Sequence, residues 1–154
     1  MSAGAPLSLQ DGIRAAIRLR EAGDPAGAFA ALESLRAELE DAEPFDRLFF
    51  AHSFADVQTS PEAELHWDQV ALDTLGQVTE EQAAAQGVPG GVAGLRPSLH
   101  LNLAHSHLRV GDVAAAGRHY RLGLADLDVL DHEAYGTAIR KAFTDYATDH
   151  PEAV

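Results

Sequence analysis

Apolar residues recur at helical spacing along most of this chain. Near its end, Tyr135, Ile139, Phe143 and Tyr146 follow one another at i, i+4, i+8 and i+11, which places them on one face of a helix. Val, Ile and Thr show no sustained alternation with polar residues, so no strand is predicted. The pattern predicts an all-α chain with helices over 9–21, 25–40, 44–57, 61–75, 97–110, 112–128 and 132–148, and a short one over 79–86.

Turn residues separate these helices into pairs. The dipeptide Gly-Asp occurs at 23–24 and again at 111–112, each time between two apolar-periodic stretches. Aspartate caps helix N-termini, and a preceding glycine permits the tight turn. Pro25 follows the first aspartate at the first helical position, and Ser60 with Pro61 offers the same arrangement. Three short turns are therefore predicted, each joining two helices.

The three helix pairs share an internal pattern of small and large residues. Before the turn, each pair has a small or apolar residue, then a small residue, then a larger residue. After the turn, each pair has a small residue followed by a larger residue. The sets are Ala15, Ala16, Leu19, Ala28 and Leu32; Phe50, Ala51, Phe54, Ala63 and Trp67; and Leu103, Ala104, His107, Ala116 and Tyr120. Small residues let paired helices approach closely, and the first two sets are offset by 35 residues.

The stretch LNLAHSHLRVGDVAAAGRHYRLGL resembles a tetratricopeptide repeat, with Gly-Asp at the turn, alanine early in the second helix and an aromatic residue four positions later. His100 stands where the family often has tryptophan, and Gly123 where alanine is usual. The resemblance implies one domain over 1–154, a right-handed α-solenoid of three helix pairs with a C-terminal capping helix. Its units would span about 9–40, 44–75 and 97–128, with an insertion at 77–96 and the cap at 132–148.

The resemblance also implies a concave groove, lined by the first helix of each unit. A scaffold for protein or peptide binding is therefore expected, and not an enzyme. Arg14, Asn102 and Arg109 would hold an anionic group such as a carboxylate. The residues expected to line the groove are Arg14, Leu48, His52, Asp56, Leu101, Asn102, His105 and Arg109.

Three alternatives to a peptide groove remain open. His52, Asp56 and His105 could form a metal-assisted hydrolytic site or part of a small-ligand sensor. The inner face could instead be solvated and without a ligand, with an Asp56–Arg109 salt bridge. A third alternative is that the protein fills its own groove, through a terminus or in a homodimer.

The other histidines are expected to be structural. His100 and His107 fall on the packing face, where they would fill the space of an aromatic residue, and about 10 Å separates them along the helix, too far to share one ion unaided. His119, His132 and His150 are expected at the surface near helix ends. No metal site and no cofactor is therefore predicted. The insertion contains GVPGGVAGLRP, which is expected to be a flexible connection.

Charge and composition narrow the partners further. The formal net charge is −13, from 24 acidic and 11 basic side chains, and such a surface repels nucleic acid. With no cysteine, disulfides and thiolate metal sites are excluded. The apolar runs are too short to cross a membrane, and the first residues do not resemble a signal peptide, so a cytoplasmic location is expected.

Overall fold

The computed structural model describes residues 7–154, and over this range the chain is all-α, as predicted, with no strand. The α-helices are α1 (Leu9–Glu21), α2 (Pro25–Leu35), α3 (Pro44–Ala55), α4 (Pro61–Leu75), α5 (Glu80–Ala85), α6 (Gly91–Arg109), α7 (Val113–Ala125) and α8 (Ala134–Asp149). Three short 3-10 helices follow α2, α7 and α8, at Arg36–Asp41, Leu127–Val129 and Pro151–Ala153. Within this range, none of the helices combines the length and the apolar character that crossing a membrane requires.

The predicted turns are present, and their polar side chains cap the helices that follow. The side chains of Asp24, Ser60 and Asp112 each accept a hydrogen bond from the backbone N–H three residues later. Gly23 and Gly111 adopt φ of +89° and +84°, a left-handed conformation that side chains with a Cβ rarely take. These local signals explain why α2, α4 and α7 begin where they do.

The helices pack in successive antiparallel pairs, α1 with α2, α3 with α4 and α6 with α7. Between pairs, α1 contacts α3 and α4 contacts α6. Gln10 Nε2 donates to Asp46 Oδ1 at 2.6 Å, and Arg20 pairs with Asp56. Both contacts join residues 36 positions apart. The helices α1 and α3 therefore run parallel and in a constant register.

The buried apolar side chains form three clusters along the chain. The first is centred on Phe50 and Phe54 and includes residues of α1 and α2. The second joins α3 and α4 to α6 around Leu99, and the third joins α6 and α7 to α8 around Phe143. Trp67 packs against both the first and the second cluster. The core is thus a row of clusters and not one central mass.

The short helix expected over 79–86 is present as α5, but the prediction that GVPGGVAGLRP is a flexible connection was wrong, because α6 begins within that stretch. A capping box formed by Thr79 and Gln82 begins α5, and α6 begins at Gly91, ahead of the predicted start at Pro97. Gly90 and Gly91 have positive φ, which turns the chain into the helix. The exposed backbone N–H of Val92 is satisfied by Glu80 Oε2 at 3.3 Å. Pro97 is therefore an interior, buried residue of α6.

The other helices match their predicted ranges except for a few residues at their ends. The predicted helix over 25–40 is α-helical to Leu35 and continues as a 3-10 helix from Arg36 to Asp41. In α8, Phe143 and Tyr146 are buried as the apolar stripe predicts, whereas Tyr135 is exposed. The last helix therefore contacts the rest of the chain mainly through its C-terminal half.

Gly123 leaves room for α8, which explains why alanine is absent there. A Cβ at this position would lie 2.7 Å from Phe143 Cζ and 3.0 Å from His100 Cβ. We expect Gly123→Ala to destabilise the protein by about 1–2 kcal/mol, because overpacking outweighs the gain in helix propensity. Gly76→Ala is the matched control, since its Cβ would meet only a carbonyl oxygen at 3.6 Å. Urea denaturation measures both, and equal midpoints for the two variants would contradict this packing.

Candidate functional site: a polar wall across α3, α4 and α6

Polar side chains from three helices meet where α3, α4 and α6 pack together. Two lie at i, i+4 spacing at the C-terminal end of α3, the second at its C-cap, two lie at i, i+4 on α4, and three lie at i, i+4 and i+7 on α6, which keeps each set on one helix face. We call this group the polar wall; it consists of His52, Asp56, Glu64, Asp68, Asn102, Ser106 and Arg109.

His52 and Asn102 connect α3 to α6 directly. Asn102 Nδ2 lies 3.0 Å from His52 Nδ1, and both residues are half-buried. Burial lowers the pKa of His52, against the opposing effect of the Asp56 carboxylate. The imidazole is therefore neutral at pH 7, and its Nδ1 accepts the amide proton of Asn102. This tautomer carries its own proton on Nε2, and the Asn102 side-chain oxygen remains an acceptor.

The arginines at the wall form ion pairs that differ from the expected one. Asp56 pairs with Arg20 of α1, and Arg109 pairs with Glu64 of α4, so the Asp56–Arg109 bridge of the ligand-free alternative does not form. Burial raises the pKa of Glu64, and the Arg109 guanidinium opposes this. The Arg109 side chain is 49% exposed and that of Arg20 34%. Pairs this accessible to water contribute little stability, so their partners can exchange.

Asp68 and Ser106 form the buried end of the wall. The Ser106 hydroxyl contacts the Asp68 carboxyl and also lies 3.0 Å from the backbone carbonyl oxygen of Asn102. A hydroxyl has one proton, so it can donate to only one of these acceptors at a time. Burial raises the pKa of Asp68 to about 7. When Asp68 is protonated, both hydrogen bonds can form at once, because the Asp68 O–H donates to the Ser106 hydroxyl while that hydroxyl donates to the Asn102 carbonyl oxygen.

The remaining expected groove residues lie elsewhere. Leu48 is buried in the second apolar cluster and Leu101 in the third. The ring of His105 lies 5.0 Å from that of Tyr146 and 6.0 Å from that of His150, near the end of α8. Arg14 lies beside Asp11 and over the ring of Phe49, at 5.9 Å from its centroid. The structure thus joins His52, Asp56, Asn102 and Arg109 in one wall, and gives the other four separate surroundings.

Three histidines stack between α6 and α7. His100 Nδ1 lies 3.0 Å from His119 Nδ1, and the His107 and His119 rings stack at 5.2 Å with an angle of 11°. The expectation that His119 is a surface residue was wrong, since it is half-buried in this stack. Burial lowers the pKa of all three, that of His119 to about 4. Among residues 7–154, no group of three His, Cys, Asp or Glu is arranged to hold a metal ion.

Asp68 and Ser106 were not anticipated, although the sequence contains a signal for Asp68. It precedes Ala71 by three and Leu75 by seven positions, and so lies on the apolar face of α4. A carboxylate on a buried face needs a proton or a partner. Ser106 gives no comparable signal, because a serine in a helix commonly donates to the carbonyl four residues earlier.

Comparison with protein-family models, with curated proteins and with solved structures found no match to this chain.

Proposed function

We propose that this chain is a non-enzymatic interaction module of the tetratricopeptide type, which binds an extended peptide of a partner protein along the polar wall. The observation that carries this proposal is the His52–Asn102 contact between α3 and α6. It joins the first helices of two successive pairs through side chains that were expected to line a groove. The contacts of Gln10 and Arg20, each 36 residues from its partner, extend the same alignment to α1.

The wall offers the groups that an extended peptide needs. A peptide backbone presents an N–H and a C=O in alternation, and both need partners when they leave water. The Nε2–H of neutral His52 can donate to such a carbonyl, and the Asn102 side-chain oxygen can accept from an N–H. These two groups recognise backbone and not a particular side chain. They therefore supply affinity and direction.

The two half-exposed arginines would add selectivity. Arg109 is held by Glu64 and Arg20 by Asp56 in the chain alone. A carboxylate on the partner can replace either intramolecular acceptor, because a planar guanidinium binds carboxylates in two-point geometry. We therefore propose that the bound segment carries an acidic side chain or a C-terminal carboxylate.

The test combines peptide selection with two substitutions at the wall. A random-peptide display library is selected on the intact protein, and the peptides recovered are titrated against a His52→Ala, Asn102→Ala double variant. Loss of the backbone contacts should weaken binding at least tenfold, about 1.4 kcal/mol. His132→Ala, which removes an exposed histidine ahead of α8, is the control and should bind as the unmodified protein does.

Circular dichroism establishes that the double variant keeps its helix content. If the folded double variant binds every recovered peptide as tightly as the intact protein, the polar wall is not the binding surface. A selection that recovers no binding peptide also contradicts the proposal.

A further inference from the structure

The outer face of α7 carries two arginines without a carboxylate partner. Five cationic side chains in residues 7–154 form ion pairs with Asp or Glu, namely Arg14, Arg20, Arg36, Arg109 and Lys141. Within the same part of the chain, Arg118 and Arg121 form neither an ion pair nor a side-chain hydrogen bond, and both are exposed. Arg18 and Arg96 are also exposed without such a partner, but they lie on different helices, whereas Arg118 and Arg121 lie three positions apart on α7 in a protein with a net charge of −13.

An apolar hollow lies between these arginines. Arg118, Arg121, Leu122 and Ala125 line an open cavity of about 300 Å³. Their spacing of i, i+3, i+4 and i+7 puts them on one face of α7. The Leu122 side chain is unusually open for an apolar residue, with 52% of the residue exposed to solvent. We call these four residues the α7 patch.

We propose that the α7 patch is a second docking surface, which binds a short acidic segment of a partner protein carrying an apolar residue between its carboxylates. The apolar side chain would fill the hollow over Leu122 and Ala125, and the carboxylates would bind Arg118 and Arg121. The surface belongs to the outer face of α7, so its occupation is independent of a peptide at the polar wall.

Charge complementarity selects an acidic segment over other occupants. At physiological salt, charges more than about 8 Å apart are largely screened, so a short segment responds to the two arginines more than to the net charge of the whole protein. Nucleic acid and a second copy of this chain both extend beyond that distance, and both meet the net negative charge. Asp112 and Asp126 lie at the two ends of α7, on either side of the patch.

Fluorescence anisotropy with two labelled probe peptides of equal length tests this proposal. One peptide carries Glu and Leu at helical spacing, and the other carries Gln in place of every Glu. The intact protein should bind the acidic peptide at least tenfold more tightly than the neutral one, and added salt should weaken that binding. Arg118→Glu with Arg121→Glu should reduce the affinity at least tenfold, and Leu122→Ser should reduce it without changing the salt dependence. Arg18→Glu, at an exposed position of α1, is the matched control and should retain full affinity.

Each alternative outcome overturns the proposal. Equal binding of the two peptides, or no binding of the acidic one, would remove the acidic segment as the occupant. If the folded Arg118→Glu, Arg121→Glu variant binds the acidic peptide with full affinity, the peptide binds at another surface. If sedimentation shows a dimer that this variant abolishes, the occupant is a second copy. The His52→Ala, Asn102→Ala variant should bind the acidic peptide as tightly as the intact protein does. A result that contradicts binding at the α7 patch can therefore be told apart from one that contradicts binding at the polar wall.

Discussion

Replacing Asp68 with asparagine should raise the free energy of unfolding at pH 8 by on the order of 4 kcal/mol. Asp68 is 4% exposed, and burial raises its pKa in the folded protein to about 7, against an ordinary value of 3.8. Each pKa unit corresponds to about 1.4 kcal/mol of difference between the protonation states. Asparagine keeps the shape of the protonated carboxyl, and its amide can donate to Ser106 as that carboxyl does.

The direction of the pH dependence follows from the raised pKa of Asp68 in the folded protein. At pH 3.5, Asp68 is protonated in the folded protein and largely so in the unfolded chain, so the substitution should change stability little. As the pH rises from about 4 to 7, the unfolded chain loses the proton first and becomes relatively more stable. The advantage of asparagine should therefore grow through this range and level off above pH 7.

Chemical denaturation at a series of pH values measures this difference directly. Asp73→Asn is the matched control, because Asp73 is an exposed carboxylate on the same helix. The result that contradicts the assignment is an Asp68→Asn effect that does not vary between pH 4 and 8. In that case Asp68 would keep its charge in the fold, and the proton between it and Ser106 would have to be assigned differently.

Trp67→Ala should cost about 3–5 kcal/mol, a large part of the stability of a domain this size. The indole lies edge-on to two phenylalanines of α3, with ring centroids 5.9 Å from Phe50 and 5.0 Å from Phe54. The Arg36 guanidinium covers it at 5.4 Å. Truncation would remove contacts to two apolar clusters at once.

Circular dichroism is the suitable measurement, because Trp67 is the single tryptophan and its removal abolishes the fluorescence signal. Arg36→Ala separates the contribution of the covering guanidinium, which should be about 0.5–1 kcal/mol. A Trp67→Ala variant with an unchanged urea midpoint would mean that the packing of α3 on α4 does not depend on this side chain.

Local signals in the sequence made the helices predictable. Asp24, Ser60 and Asp112 cap helices through atoms only three residues away, so the starts of α2, α4 and α7 are visible in the sequence itself. The position of Trp67 against Phe50 and Phe54 follows from the shared spacing of the pairs. Both kinds of inference rest on short-range geometry, which sequence spacing determines.

Contacts between distant residues account for what the sequence did not predict. The start of α6 depends on Glu80, whose carboxylate reaches the backbone twelve residues later. The Asp56–Arg109 bridge of the ligand-free alternative does not form, because helix spacing shows which residues share a face, but not which carboxylate on a neighbouring helix lies nearest. The burial of His119 in the histidine stack was not predicted for the same reason. Its environment depends on how α7 is rotated against α6.

The row of three apolar clusters determines how local unfolding at one end of this molecule affects the other end. Residues of α1 belong to the first cluster and residues of α8 to the third, with the second between them. Trp67 packs against the first and second clusters, and α3 supplies residues to both, so the N-terminal pair is joined to α6 through the middle pair. Such an architecture lets each end loosen and close on its own timescale, while its middle governs whether the chain unfolds in one step or in several.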